Sequence, residues 1–171
     1  MKSIIYIAIF LGGLFFTSCG SDASQDGNVT SEEEKELTYS ELPAIVPISQ
    51  EKLTEINKWK KFKELSVLME KFQNQQTGDL TYFAEEFIRL DTDIAKDSLF
   101  PAKFNSPDVK SRLVVFKTFS HQLKTRLEEN APVDSINVSR AKILTTYNAL
   151  RQQLSEALKS KIYQDFIKEK N

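Results

Sequence analysis

From residue 49 to the C-terminus, apolar residues recur at spacings of three and four, the period of one helix face. Four helical segments follow. The first spans 50–76, with Ser49 as N-cap, a stripe of Phe62, Leu65, Met69 and Phe72, and Gly78 as a stop. The second spans 80–96 behind Asp79, and its seam of Leu80, Phe83, Phe87, Leu90 and Ile94 is the cleanest in the chain. A loop at 99–105 ends it. Ser106-Pro107 opens the third, serine as cap and proline at the first helical position, with a seam of Val109, Leu113, Phe116, Leu123 and Leu127 and a polar gap at Ser120. Ala131-Pro132 ends that helix. The fourth spans 134–168 through Ile136, Ile143, Tyr147, Leu150, Leu154 and Ala157, and drifts on to Leu158, Ile162 and Phe166.

Short connections make consecutive helices antiparallel neighbours. The expected fold is all-α, an antiparallel up-down four-helix bundle with coiled-coil-like packing; the alternative is an elongated three-helix bundle. Five glycines in 171 residues leave few positions for tight turns, which also favours helices over sheet.

One stripe breaks the pattern. Leu53, Ile56 and Trp59 step by three, so each rotates about 60° backwards around the helix and leaves the Phe62–Phe72 seam. Two readings stand. Leu42, Ile45 and Val46 fold back to cover these residues, or Leu53, Ile56 and Trp59 form an exposed patch that binds a partner.

The first 48 residues differ in kind. Lys2 precedes an apolar run over 4–16, too short to span a bilayer and of the length of a secretory signal core. Phe16-Thr17-Ser18-Cys19-Gly20 resembles the lipobox of bacterial lipoproteins, in the relaxed form of the Bacteroidota, with Phe16 where leucine is usual. The resemblance implies cleavage before Cys19 and acylation of its thiol, so that Cys19 anchors the protein to a membrane. Gly20, in place of an aspartate, favours the outer membrane, and both its periplasmic and its cell-surface face stay open. The expected organisation is a signal peptide at 1–18, the lipidated cysteine and a flexible tether at 19–48, and a helical domain at 49–171. Ser, Asp, Gly, Asn and Glu dominate the tether's first half, a composition too polar to offset its ordering entropy. Its residues 42–47 read as extended because of two prolines, and 31–42 are long enough for a short helix.

Composition narrows the function. A net charge of −1 argues against nucleic acid as partner. The single cysteine excludes an intramolecular disulfide. His121, the only histidine, projects about 120° from its helix seam and reads as a surface residue, not a haem ligand opposite Met69. Glu86, Asp93 and Asp97 share a flank of the second helix; ion pairs with lysines of a neighbouring helix are the simpler reading, a hard cation the sharper one. In Lys58-Trp59-Lys60-Lys61-Phe62-Lys63 the lysines spread around the helix and flank core aromatics. No nucleophile motif and no phosphate loop occurs. The expectation is a non-enzymatic, lipid-anchored envelope lipoprotein, with no cofactor or metal. It is a helical interaction module whose partner is an envelope protein or polymer. The alternative is a carrier of a small hydrophobic ligand, with phenylalanines lining a cavity.

Overall fold

A computed structural model describes residues 37–169, with side chains as far as residue 159. The signal segment, Cys19 and the first half of the tether lie outside the described residues. Five α-helices are present among those described, with no strand: α1 (Gln50–Asn57), α2 (Lys60–Asn74), α3 (Thr81–Ala95), α4 (Pro107–Glu128) and α5 (Val133–Glu169). A single 3-10 turn, Ala102–Phe104, interrupts the loop before α4. Each of α2 to α5 packs on the helix next to it in sequence, and α1 packs on both α2 and α5. At 37 residues, α5 is about 55 Å long. None of the described helices is long and apolar enough to cross a membrane.

The seams meet in one core. Phe62, Leu65, Met69 and Phe72 of α2, Phe87 and Ile94 of α3, Val109, Phe116 and Leu123 of α4, and Ile143, Leu150 and Leu154 of α5 are fully buried. Phe87 packs its ring edge-on against Phe72 at 5.1 Å and Phe116 at 5.5 Å, joining three helices at one point. The helix ends follow local chemistry. Ser106 Oγ accepts the Val109 N–H at 3.3 Å, with Pro107 at the start of α4. Asp79 accepts the Thr81 N–H at 2.8 Å ahead of α3. Asn130, at φ 49°, takes the left-handed position after α4, and Ala131 N–H closes the cap on Arg126 O at 2.9 Å.

One expectation is corrected. The first predicted helix is two. Trp59 leaves the helical region at φ −79°, ψ 99°. Its N–H closes α1 on Ile56 O and its carbonyl opens α2 from Lys63, both at 3.0 Å. No glycine or proline forces this break. Trp59 is 4% exposed, packed against Phe100 at 4.6 Å, Phe104 at 5.8 Å and Phe62 at 5.9 Å. Its indole N–H donates to Asp97 Oδ2 at 3.1 Å. Aromatic burial with a satisfied polar handle outweighs the single helical hydrogen bond forgone. Residues 37–48, the end of the expected tether, lie along the bundle as a strap.

Candidate functional site

The strap is extended, and its inward residues come every third position: Tyr39 and Leu42 are buried, Ile45 and Ile48 partly so. That is the period of a polyproline II segment, and Pro43 and Pro47 suit it. At its start, Tyr39 N–H donates to Gln76 O at 2.7 Å, Gly78 N–H to Leu37 O at 3.1 Å, and the Tyr39 hydroxyl to Gly78 O at 2.9 Å. Gly78 sits at φ 81°, which glycine adopts without strain.

Along α5 the strap is held by two copies of one device. Asn137 Oδ1 accepts the Ser40 N–H at 3.0 Å while Arg140 Nη1 donates to Ser40 O at 2.6 Å. Asn148 Oδ1 accepts the Val46 N–H at 3.1 Å while Arg151 Nη1 donates to Val46 O at 2.6 Å. Each Asn-x-x-Arg pair, three residues apart on one helix face, therefore reads both backbone polar groups of a single strap residue. The pairs repeat after eleven residues, about 16 Å along the axis. Ser40 to Val46 spans about 19 Å at polyproline II rise, so strap and α5 run side by side in the same direction.

Both arginines are deeply buried. Arg140 is fully enclosed, donates also to Gln75 O at 2.6 Å, and lies over the rings of Tyr39 at 5.0 Å and Phe72 at 5.7 Å. Burial lowers its pKa from the usual arginine value. Arg151 is 7% exposed and stacks toward Tyr147 at 5.7 Å. Neither forms an ion pair among the described residues, and neither Nε has a hydrogen-bond partner.

The residues singled out in the sequence fall in different places. Ile56 and Trp59 are buried and Leu53 is half-buried, so the three form no exposed stripe. The turn at Trp59 swings them inward. The covering is divided: Ile45 and Pro47 of the strap border a pocket with Leu53, whereas Phe100 and Phe104 cover Trp59. Val46 points outward, 54% exposed. His121 is exposed on α4. Glu86 and Asp93 both grip Arg89 of their own helix, at 2.7 and 2.8 Å, and the Arg89 hydrogen bonds hold the Glu86 carboxyl below the ordinary glutamate range. Asp93 also lies 3.7 Å from Lys61 of α2. Asp97 serves Trp59 and accepts the Leu99 N–H at 2.9 Å. Among the described residues no group of three or more His, Cys, Asp or Glu is placed to hold a metal ion.

Two features escaped the sequence reading. A groove of about 460 Å³ runs between α2 and α3, lined by the apolar Val67, Leu68, Tyr82 and Leu90, by Lys60, Lys63 and Lys71, and by Arg89 with the carboxylates Glu64 and Glu86. Tyr82 is 63% and Val67 45% exposed. Of the α2 lysines, Lys61 pairs, with Glu64 at 3.8 Å as well as with Asp93; Lys60 and Lys63 in the first turn and Lys71 in the last make no ion pair among the described residues. The second feature is Asp91 on α3, 3% exposed, with Lys117 of α4 at 3.9 Å and its Oδ1 without a partner. Burial pushes its carboxyl up to about 6, against the opposing pull of Lys117. No family model, curated protein or solved structure matches this chain.

Proposed function

We propose that this protein is a lipid-anchored, non-enzymatic lipoprotein of the outer membrane, tethered through Cys19, whose helical domain binds another envelope component through the groove between α2 and α3. The observation that carries the docking surface is the pairing of exposed Tyr82 and Val67 with three unpaired lysines. Lys60 and Lys63 stand in the first turn of α2, where positive charge opposes the helix dipole, so they are not there for the helix. Apolar side chains beside unpaired lysines complement a partner that presents an apolar side chain beside acidic groups. The lipid anchor rests on the Phe16–Gly20 resemblance alone. The proposal also takes α2 to α5 as an up-down bundle of coiled-coil-like pairs, which agrees with the packing of sequence neighbours on one another.

The test places a photocrosslinking amino acid at Tyr82 or Val67 in producing cells, with His121 on α4 as control position. The expected outcome is a discrete adduct from the two groove positions, absent at His121 and lost when Lys60, Lys63 and Lys71 are changed to Glu. Equal adducts from all three positions would remove the groove as the docking surface. For the anchor, Cys19→Ala abolishes incorporation of labelled palmitate; label entering that variant refutes it.

A further inference from the structure

The strap shows what an extended segment needs on this bundle. Ser40 and Val46 each have their N–H taken by an asparagine oxygen and their carbonyl by an arginine. The Pro43 carbonyl accepts from Gln73 Nε2 at 2.8 Å. The α2–α3 groove offers no such readers, since no asparagine, glutamine, serine or threonine lines it. From Glu64 to Leu68 and from Glu86 to Leu90 the backbone of both walls is spent within its own helix. The groove carboxylates are committed as well, Glu64 beside Lys61 and Glu86 on Arg89, and Arg89 also holds Asp93. What is left are the ammonium groups of Lys60, Lys63 and Lys71, which only donate, and the Tyr82 hydroxyl. The N–H groups of an extended guest would go largely unanswered here. A helix brings its backbone already paired and asks only for apolar contact and charge.

The spacing along the groove says what such a helix carries. Lys63, Val67 and Lys71 stand at four-residue steps on α2, about 6 Å apart along the axis. Exposed Val67 thus has a lysine one turn to either side, and Lys60 extends the row to about 16 Å, three turns of helix. Lys61 lies 3.7 Å from Asp93, and residues 75–80 join the other ends of the two helices. Tyr82, at the start of α3, therefore stands beside the turn of Lys71, at the end of α2. All three lysines belong to the α2 wall, whereas the α3 wall presents Arg89 already held by two carboxylates. We propose that the groove receives an amphipathic α-helix of about three turns from another envelope protein. That helix seats an apolar residue between Val67 and Tyr82 and carries a carboxylate one turn to either side, on its α2 flank. The inference rests on the groove being the docking surface and names its partner.

The experiment titrates the full chain with a synthetic helical peptide of about sixteen residues, a leucine seam with a glutamate one turn before and after its central leucine. Binding is read by NMR on the Val67 methyl resonances, assigned by their loss in Val67→Ala, with exposed Val114 of α4 as the control. A saturable shift is expected at Val67 and none at Val114. Moving the glutamates to the opposite face of the peptide, or placing prolines in its interior, weakens binding at least about tenfold. Lys71→Glu weakens it by a similar factor, and a peptide with lysine in place of the matching glutamate restores it. Absence of a saturable shift up to about 1 mM overturns the proposal. Equal binding of the proline peptide does so too, by marking an extended guest, and so does equal binding of the displaced-glutamate peptide, by marking unspecific attraction of anions. A Lys71→Glu loss that the matched peptide leaves in place has the same consequence. The crosslink at Tyr82 judges the groove and the peptides judge its guest, so a discrete adduct beside peptides that fail to bind keeps the docking surface and sinks the helix.

Discussion

Arg140 and Asp91 are both buried charges that the fold handles in opposite ways. Arg140 sits on α5 with its two Nη groups donating to the carbonyls of Ser40 and Gln75, and with two aromatic rings against its plane. Asp91 sits on α3 with a lysine at the edge of ion-pair range and one oxygen with no partner at all. The guanidinium suits such a place: it is flat, weakly hydrated and carries five donors that neutral carbonyls can take up. A carboxylate is compact and strongly hydrated, and burial without donors favours its neutral form. The first charge is thus a fastening and the second a strain.

That contrast is open to direct attack. Arg140→Met removes the donors of two carbonyls and the contact with both rings, and a loss of about 4 kcal/mol in urea unfolding is expected. A change below about 1 kcal/mol would mean that the strap holds without its clamp. Asp91→Asn acts in the other direction. The folded Asp91 carboxyl, pushed up to about 6 from an ordinary value of 3.8, binds its proton more tightly than the unfolded chain does. Its contribution is therefore fully present below pH 3.8 and declines as pH rises through about 6, a fall of roughly 3 kcal/mol at most. The Asn variant loses that slope and is expected to be more stable than the parent by about 2 kcal/mol at pH 8, and close to it at pH 4. Stability profiles of the two proteins that stay parallel across this range would place Asp91 in contact with solvent. Asn137→Ala frees the Ser40 N–H at an exposed site, where water replaces the lost acceptor, and a loss of about 1 kcal/mol is expected by thermal unfolding. The smallest effect belongs to Lys117→Ala. At 3.9 Å and 41% side-chain exposure the lysine adds little, about 0.5 kcal/mol or less at pH 8, measured as a double-mutant cycle with Asp91→Asn.

The seams were plain in the sequence because helical burial is periodic. Phe83, Phe87, Leu90 and Ile94, read from their spacing, are all buried, and the Ser106-Pro107 start stands where its chemistry puts it. The break at Trp59 was hidden because its cause lies elsewhere in the chain, in Phe100, Phe104 and Asp97, and no local breaker announces it. The strap was half visible. Two prolines marked it as extended, but its attachment depends on polar side chains of α5, and a hydrophobic pattern does not register those. A signal was present nonetheless: Arg140 and Arg151 occupy the seam spacing Ile136, Arg140, Ile143, Tyr147, Arg151, Leu154, where apolar residues are the norm. A charge in a seam asks what solvates it, and the extended segment upstream is the answer. The α2–α3 groove and the pocket bordered by Ile45, Pro47 and Leu53 were not legible at all, since each arises from the relative placement of separate elements.

The repeated clamp gives the strap a mechanical direction. A pull on Leu37 along the strap axis loads the Ser40 and Val46 contacts together, so that both must fail at once. A pull that lifts Leu37 away from α5 loads Ser40 first and Val46 only after Ser40 has let go. The same bonds thus resist sliding and yield to peeling, much as an adhesive strip does. The mechanical anisotropy comes from the spacing of four side chains on a single helix.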